Sequence, residues 1–441
     1  MNSTTHRLGR IAAALLIVSC KSQDESKTVA ASLRVEPAAP AAAAKESSSV
    51  GAPCASDDAK ACFERAQHLE HGTHGSTPDR ASAAAAYRIA CDRGHADACN
   101  ALGELAFFGD RANAPDKVKG AEHISQACNL GSIQGCTNLG YLYANGQGLA
   151  ADPSRAASAH QRALSLSLAA CEGGDARSCS IAGGIYGQGR PGIEKDASRA
   201  ASAYRAAAAH AKVSCDAGNA ADCSLLAGLH ADGRGVPADN AAAVQLLRRA
   251  CDAGELDACS QLGLKLASTP GEASPGAAQA VEYYDKACDG GDARGCFLLA
   301  LSHADDGPGK DMALAAVLYE KACDRAHSGA CVNLGRLYEN GEGGRPKDEA
   351  LARALYEQGC NRGDSVGCKN LSILQRQDEQ AAFRKNLKIG DVSHCGLVTE
   401  VNGPIVRVQA MVGMYWMKLD QIYPAGQQRC SFYNNLYQDP G

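Results

Sequence analysis

The sequence contains few aromatic residues and no strongly basic segment. Phe, Trp and Tyr make up 5% of the 441 residues, and Trp416 is the single tryptophan. So few large side chains favour a thin array of Ala-rich helices over one large globular core. The formal net charge of −5 and the lack of a Lys/Arg-rich run argue against nucleic acid as a partner.

Signatures of catalysis and of cofactor binding are also absent from the sequence. It has no phosphate-binding loop, no dinucleotide fingerprint and no Cys-x-x-Cys motif, and no nucleophile, base and oxyanion donor stand at a recognisable spacing. His68, His71 and His74 lie close together, and the first two could share a helix face and hold a metal. Because no carboxylate-rich partner accompanies them, we interpret them as structural. We therefore expect no catalytic residue, no metal and no cofactor.

Cysteine, by contrast, is abundant and regularly placed. Of 21 cysteines, 18 form nine Cys-x7-Cys pairs. The pairs are Cys54/Cys62, Cys91/Cys99, Cys128/Cys136, Cys171/Cys179, Cys215/Cys223, Cys251/Cys259, Cys288/Cys296, Cys323/Cys331 and Cys360/Cys368. Eight residues of helix span about 12 Å, but a disulfide needs Cα atoms within about 7 Å, so a helix must break inside any bonded pair. Glycine, the usual left-handed residue at a helix end, follows the first Cys by three residues in seven pairs. So many paired cysteines point to disulfides and export.

The cysteine pairs mark a repeat that runs from residue 54 to residue 387. Successive pairs are 35 to 44 residues apart, a period typical of helical solenoids. Each unit predicts a helix A after the second Cys and a helix B before the next pair. A small residue four positions after each second Cys would let another helix approach closely. Two B helices, 152–171 and 196–215, are seven residues longer and are expected to project from the array. Four tyrosines stand four residues before a Cys, at predicted core positions: Tyr87, Tyr284, Tyr319 and Tyr356.

The N-terminus resembles an export signal. Two arginines precede a short apolar run that cannot span a bilayer, which needs about 20 residues. The run ends in Ile-Val-Ser-Cys20, which resembles the lipobox of bacterial lipoproteins. This resemblance implies that residues 1–19 are a signal peptide and that Cys20 carries a lipid; the alternative is a secreted protein with an unpaired cysteine. Residues 20–53 are rich in Ala, Ser and Pro and are interpreted as a flexible tether.

The repeat itself is similar to the Sel1-like repeat. Residues 127–148 carry nearly the whole motif Ala-Cys-x2-Gly-x4-Cys-x2-Leu-Gly-x2-Tyr-x2-Gly-x-Gly. Its cysteines resemble the disulfide-rich subfamily known from the Helicobacter cysteine-rich proteins. The resemblance implies an all-α, TPR-like α/α superhelix with one disulfide in each of the nine pairs. Sel1-like proteins usually serve as adaptors for protein complexes.

Some cysteine-rich members of that family are described as penicillin-binding or β-lactamase-like. A serine β-lactamase needs Ser-x-x-Lys, which places a lysine one helical turn from the nucleophile. That tetrad is missing from the sequence, as are Lys-Thr-Gly and Ser-Asp-Asn. Hydrolysis or binding of β-lactams therefore stands only as the alternative function.

The last segment departs from the repeat. Residues 376–387 are predicted to form a capping helix, and residues 388–441 a small all-β domain that loosely resembles an SH3-like barrel. Within it, Asn402-Gly403 separates two β-branched runs and predicts a hairpin. We interpret the domain either as a cap on the solenoid or as a binding module for peptide or cell wall. The predicted disulfide here is Cys395–Cys430, and the candidate binding residues are Tyr415, Trp416 and Tyr423.

Together these features predict an exported, membrane-anchored, non-catalytic scaffold. Its predicted location is the cell envelope, at the outer membrane or in the periplasm. Its expected partners are an envelope protein, or peptidoglycan, bound at the helical repeat surface, and the membrane, reached through the lipid anchor.

Overall fold

The computed structural model describes residues 54, 58–72, 78–109, 113–268, 275–305, 309–410 and 413–426. Within them the chain forms seventeen α-helices, one four-stranded sheet and a short 3-10 helix at Leu419–Gln421. The helices are α1 (Ala59–His71), α2 (Arg80–Asp92), α3 (Ala96–Phe108), α4 (Lys117–Asn129), α5 (Ile133–Asn145), α6 (Pro153–Glu172), α7 (Ala176–Gln188), α8 (Ala197–Asp216), α9 (Ala220–Asp232), α10 (Asn240–Asp252), α11 (Leu256–Ala267), α12 (Pro275–Asp289), α13 (Ala293–Ala304), α14 (Met312–Asp324), α15 (Ser328–Asn340), α16 (Glu349–Asn361) and α17 (Ser365–Lys385). The strands are β1 (Val392–Ser393), β2 (Gly396–Asn402), β3 (Ile405–Ala410) and β4 (Gly413–Lys418).

The first sixteen helices form eight repeats, each with an odd-numbered A helix followed by an even-numbered B helix. Most B helices begin behind an aspartate: Asp116 accepts the Lys119 backbone N–H at 3.0 Å, and Asp348 accepts that of Leu351 at 2.9 Å. Such N-caps satisfy donors that the first helical turn leaves free. The predicted helical-repeat solenoid, followed by a small sheet, is confirmed.

Within a repeat, helices A and B lie close together because a small residue faces a large one. A Cβ at Gly335 would lie 2.9 Å from the ring of Tyr356, and one at Gly183 would lie 2.9 Å from the ring of Tyr204. Glycine therefore sets the spacing of the two helices. The predicted core tyrosines are confirmed, since each is at most 4% exposed: Tyr87, Tyr284, Tyr319 and Tyr356.

The two long B helices, α6 and α8, have 20 residues each, against 13 in α4. Their length is as predicted. Ser167 and Ala211 stand four residues before Cys171 and Cys215, the position that core tyrosines occupy in other repeats, and both are fully buried. The expectation that the added turns project from the array stays a prediction.

The chain divides into two compact units, residues 1–364 and residues 365–441. The second unit begins with α17, a single helix of 21 residues. The predicted capping helix at 376–387 is helical to Lys385, but it continues α17 from Ser365 because neither Gly nor Pro interrupts the sequence from Cys368 to Lys385. The unit boundary falls 23 residues before the expected end of the repeats at residue 387.

In the second unit, the strands form an antiparallel meander in the order β1-β2-β3-β4. The predicted hairpin is confirmed, with Asn402 paired to Ile405 and Gly403 in the left-handed region at φ 56°. One face of the sheet supplies a small core with Phe383 of α17 and Leu387 just after it. The SH3-like closure of this sheet into a barrel stays a prediction. None of the described helices combines the length and apolar character needed to cross a bilayer.

Candidate functional site

The corner between each B helix and the next A helix holds the predicted disulfide. At the corner after α4, Gly131 adopts φ 99° and its N–H bonds to the Cys128 carbonyl at 3.0 Å. Ser132 then caps α5 by accepting the Gly135 N–H at 2.9 Å. This reversal brings the Cα atoms of Cys128 and Cys136 to 4.3 Å, with both residues at most 3% exposed. The disulfide is buried and links the end of α4 to the start of α5.

For eight of the predicted Cys-x7-Cys pairs the bonded partner is the predicted one, with Cα separations of 4.3 to 5.6 Å. They are Cys54–Cys62, Cys91–Cys99, Cys128–Cys136, Cys171–Cys179, Cys215–Cys223, Cys251–Cys259, Cys288–Cys296 and Cys323–Cys331. The second cysteine of each of these eight pairs is at most 1% exposed. These cysteines therefore serve the structure of the corner and present no sulfur for chemistry.

So many disulfides are typical of an oxidising extracellular or periplasmic environment. Cys360 and Cys368 of the ninth predicted pair are each disulfide-bonded; that they bond to one another stays a prediction.

Several predicted features involve residues outside the described part of the chain. The signal peptide at 1–19, the lipid-bearing Cys20 and the tether at 20–53 stay predictions, because residues 1–53 lie outside it. Cys395 is disulfide-bonded, but Cys430, its predicted partner, also lies outside the described residues.

The three candidate binding aromatics do not converge on one site. Tyr415 and Trp416 are neighbours on β4 and point to opposite faces of the sheet. Tyr415 packs against the buried core of the unit. The ring of Tyr423 lies 4.8 Å from the Arg384 guanidinium and 5.1 Å from the ring of His394. Tyr415 and Tyr423 therefore hold the unit together.

Trp416 lies on the opposite face of the sheet from Tyr415 and is half-buried, with its indole Nε1 atom buried. Its cross-strand neighbour Arg407 places the guanidinium 5.7 Å from the indole centroid and 3.8 Å from the Glu400 carboxylate. This face therefore offers a partly exposed aromatic surface beside a paired cation and anion. Such a surface could stack on a sugar ring or on a peptide side chain.

A groove of about 600 Å³ also lies within the second unit, between α17 and the strand β1. It is lined by Phe383, Asn386, Asp391, Val392 and Pro424, among others. Val392 is 60% exposed. The groove is open and its floor is apolar, but it contains none of the three predicted aromatics.

The first unit has an open groove of about 450 Å³ between the second and third repeats. Its wall is α4 with the following turn, and its other side is the end of α5 with the loop after it. Leu130 in this groove is 44% exposed. The lining residues are Ala121, Glu122, Ser125, Gln126, Asn129, Leu130, Tyr143 and Leu149.

The neighbouring helix α6 fixes the rim of this groove. Arg155 lies over the Tyr143 ring at 5.7 Å and donates to the tyrosine hydroxyl at 3.4 Å. Arg162 donates to the Asn129 carbonyl at 3.0 Å. The repeat pattern did not predict this groove. The one sequence feature that indicates the groove is Leu130, a large apolar residue in a turn where other repeats carry Arg, Gly or Ala.

Catalytic residues often have pKa values that are shifted by burial, so buried titratable side chains are candidates for catalysis. Burial and then Arg294 lower the pKa of His327 to about 4. Its Nδ1 accepts the Ala330 backbone N–H at 3.2 Å, and its ring stacks on Phe297 at 4.1 Å. His327 is therefore the N-cap of α15, and its neutral form is the one that this role requires.

A second buried group also serves structure. Ser260 donates to the Asp292 carboxylate at 2.5 Å, and the same carboxylate accepts the Gly295 N–H at 2.6 Å. Burial raises the pKa of Asp292. Asp292 thus caps α13 and ties it to α11, and nothing in this arrangement points to a β-lactamase.

No group of three His, Cys, Asp or Glu side chains in the described part of the chain is placed to hold a metal ion. His68 and His71 both lie on α1, while His74 lies outside that part.

These features define a disulfide-rich α/α solenoid with a groove between two of its repeats. The Sel1 repeat model matches eight segments, which together cover more than half of the chain. They are residues 59–95, 96–132, 133–175, 176–211, 220–255, 256–292, 293–327 and 328–364. The chain belongs to the Sel1 repeat family, whose members are generally scaffolds for protein interactions and are typically non-catalytic.

Several solved structures are similar to the chain. A protective antigen of uropathogenic Escherichia coli is 23% identical, with 74% of this chain and 68% of that chain covered and a TM-score of 0.38. A Sel1 repeat protein from Oxalobacter formigenes is 22% identical, with coverages of 72% and 86% and a TM-score of 0.37. An immunity protein from Pseudomonas aeruginosa is 15% identical, with coverages of 62% and 83% and a TM-score of 0.32. No curated protein matches the sequence.

Proposed function

We propose that this chain is an exported, non-catalytic scaffold whose repeat solenoid binds a protein partner while a lipid on Cys20 holds it at the cell envelope. The observation that carries the proposal is the row of buried disulfides at the corners of successive repeats. Each closes a nine-residue loop and contributes about 2.5 kcal/mol by restricting the unfolded chain. An Ala-rich array stabilised in this way keeps a fixed surface outside the cytoplasm.

The groove between the second and third repeats is the contact site that we assign to the partner. Amide and hydroxyl groups of Ser125, Gln126 and Asn129 stand beside the apolar side chains of Leu130 and Leu149. That combination suits an extended peptide segment, since its backbone needs hydrogen-bond partners while an apolar side chain needs a dry contact.

Matched substitutions test this assignment. The full-length protein should capture its partner from envelope extracts, and Leu130→Arg should abolish the capture by placing a charge in the groove. Val213→Arg is the control, because Val213 is 72% exposed and lies outside the groove. Equal capture by wild type and Leu130→Arg would refute the groove as the contact site.

Membrane attachment needs its own experiment, because it rests on the sequence alone. In fractionated cells the wild-type protein should sediment with membranes, and Cys20→Ala should remain in the soluble envelope fraction. Membrane sedimentation of Cys20→Ala to the wild-type extent would contradict the anchor. Turnover of a chromogenic cephalosporin by pure, fully oxidised protein would contradict the non-catalytic assignment.

A further inference from the structure

Two arginines join repeats that are far apart in the sequence. Arg325 donates through Nε to the His71 carbonyl at 2.8 Å and through Nη2 to the Gly72 carbonyl at 3.3 Å. Arg362 donates through Nη2 to the Gly109 carbonyl at 3.0 Å. The partners are 253 or 254 residues apart. Repeats seven and eight therefore lie against repeats one and two.

The two contacts are equivalent by position. Arg325 ends α14 and Arg362 ends α16, so each arginine stands at the corner after a B helix. Gly72 ends α1 and Gly109 ends α3, so each acceptor stands at the end of an A helix. The same corner-to-helix-end contact thus occurs twice, one repeat apart, as expected if one turn of the superhelix rests on the next.

The chemistry of the acceptors explains why arginine is used. The last carbonyls of a helix have no partner within the helix, and the C-terminal end carries a partial negative charge. A guanidinium offers several N–H donors and a permanent positive charge. Gly72 and Gly109 are themselves buried. Arg325 and Arg362 therefore act as C-terminal caps supplied from a distant repeat.

The sequence places arginine selectively at this corner. The second residue after the first Cys of each pair is Arg in repeats one, seven and eight and an uncharged residue in the repeats between them. The residues are Arg93, Leu130, Gly173, Ala217, Ala253, Gly290, Arg325 and Arg362. Arg93 donates to the Cys62 sulfur at 3.3 Å, a contact with the neighbouring corner. Repeats two to six thus lack the guanidinium that makes the distant contact.

We propose that Arg325 and Arg362 form a clasp that holds the solenoid closed on itself, and that releasing the clasp opens the superhelix while every repeat stays folded. The clasp consists of a few hydrogen bonds between distant repeats, whereas each repeat is held by a disulfide and a buried core. The two can therefore separate. Opening changes the distance between the ends of the array and leaves the helix content unchanged.

The test measures the distance between α1 and α14 in the oxidised full-length protein. Spin labels are attached through a ketone-bearing amino acid at exposed Lys60 and Val317, which leaves the cysteines untouched. The wild-type protein should give one narrow distance peak. The double variant Arg325→Ala/Arg362→Ala should lose that peak and show longer, broader distances, with an unchanged helical circular dichroism signal and no free thiols among residues 54–368.

Arg93→Ala is the matched control, because it removes an arginine from the same corner position, where the side chain donates to Cys62 of its own repeat. It should keep the wild-type distance peak. The clasp is refuted if the double variant retains the wild-type distribution, or if Arg93→Ala broadens the distribution to the same extent.

Discussion

Replacing Ala326 by glycine should stabilise the corner between α14 and α15. Ala326 is the one non-glycine residue with positive φ in the described part of the chain, at 69°. Its N–H bonds to the Cys323 carbonyl at 2.9 Å, as the Gly131 N–H does to Cys128 at 3.0 Å. The turn is thus the same as in the other repeats, but here a Cβ occupies a left-handed conformation.

The size of the effect follows from two opposing terms. A left-handed L-residue costs about 1–2 kcal/mol. Glycine lowers the free energy of unfolding by about 0.4–1 kcal/mol, because the unfolded chain has more conformational freedom with glycine than with alanine. Ala326→Gly should therefore stabilise the corner by about 0.5–1 kcal/mol, which slows local opening about two- to five-fold. The reverse change, Gly254→Ala, meets no atom within 4 Å at its added Cβ, so it should destabilise its own corner by a similar amount.

Hydrogen exchange is the appropriate assay, because a disulfide-rich repeat array need not unfold in a single step. Peptides that cover the end of α14 and the start of α15 should exchange more slowly in Ala326→Gly. Peptides from the corner after α10 should exchange faster in Gly254→Ala. Faster exchange in Ala326→Gly would refute the reasoning, since the alanine would then be stabilised by something other than its backbone conformation.

Three further predictions concern pH, a loop and a disulfide. Because the pKa of His327 is lowered to about 4 from its usual 6.5, its contribution to stability is complete above about pH 6.5 and is lost as the pH falls towards 4, by at most about 3 kcal/mol; His327→Asn should remove this part of the pH dependence in thermal unfolding. Gly343→Ala should lower the melting temperature more than Gly344→Ala: both have positive φ, but only at Gly343 would the Cβ meet a backbone carbonyl, at 2.7 Å. An equal loss in both would contradict this. Replacing Cys128 and Cys136 together by alanine should cost about 2.5 kcal/mol in denaturant unfolding, and an unchanged midpoint would contradict the entropic account.

Local patterns predicted the repeats because each feature is encoded within one corner or one helix. The cysteine spacing and the glycine three residues later specify a break, and the structure places the break there. The small residue that faces Tyr356 was readable for the same reason, since Gly335 recurs at a fixed position in the period. The length of α6 followed from counting residues between Asp152 and Cys171.

Features that depend on distant packing could not be predicted in this way. The burial of Ser167 in α6 depends on which neighbouring helices pack against it. Strand alternation alone puts Tyr415 and Trp416 on opposite faces of β4, but which of the two faces the core depends on how the sheet packs. The contact of Arg325 with His71 spans 254 residues, and no local period reports such a distance.

The corner after α14 combines three departures from the repeat: Arg325 forms the distant contact, Ala326 takes the glycine position, and His327 replaces the usual Ser, Asp or Asn cap. The alanine costs about 1–2 kcal/mol, and hydrogen bonds to a charged group contribute about 1.5–3 kcal/mol, so the distant contact can offset the unfavourable turn. If this compensation holds, Ala326→Gly should stabilise the corner in the double variant Arg325→Ala/Arg362→Ala as much as in the wild type, because backbone conformation and distant contact are independent terms. A much larger gain in the double variant would show instead that the clasp, while intact, holds the turn in its conformation whatever residue stands there.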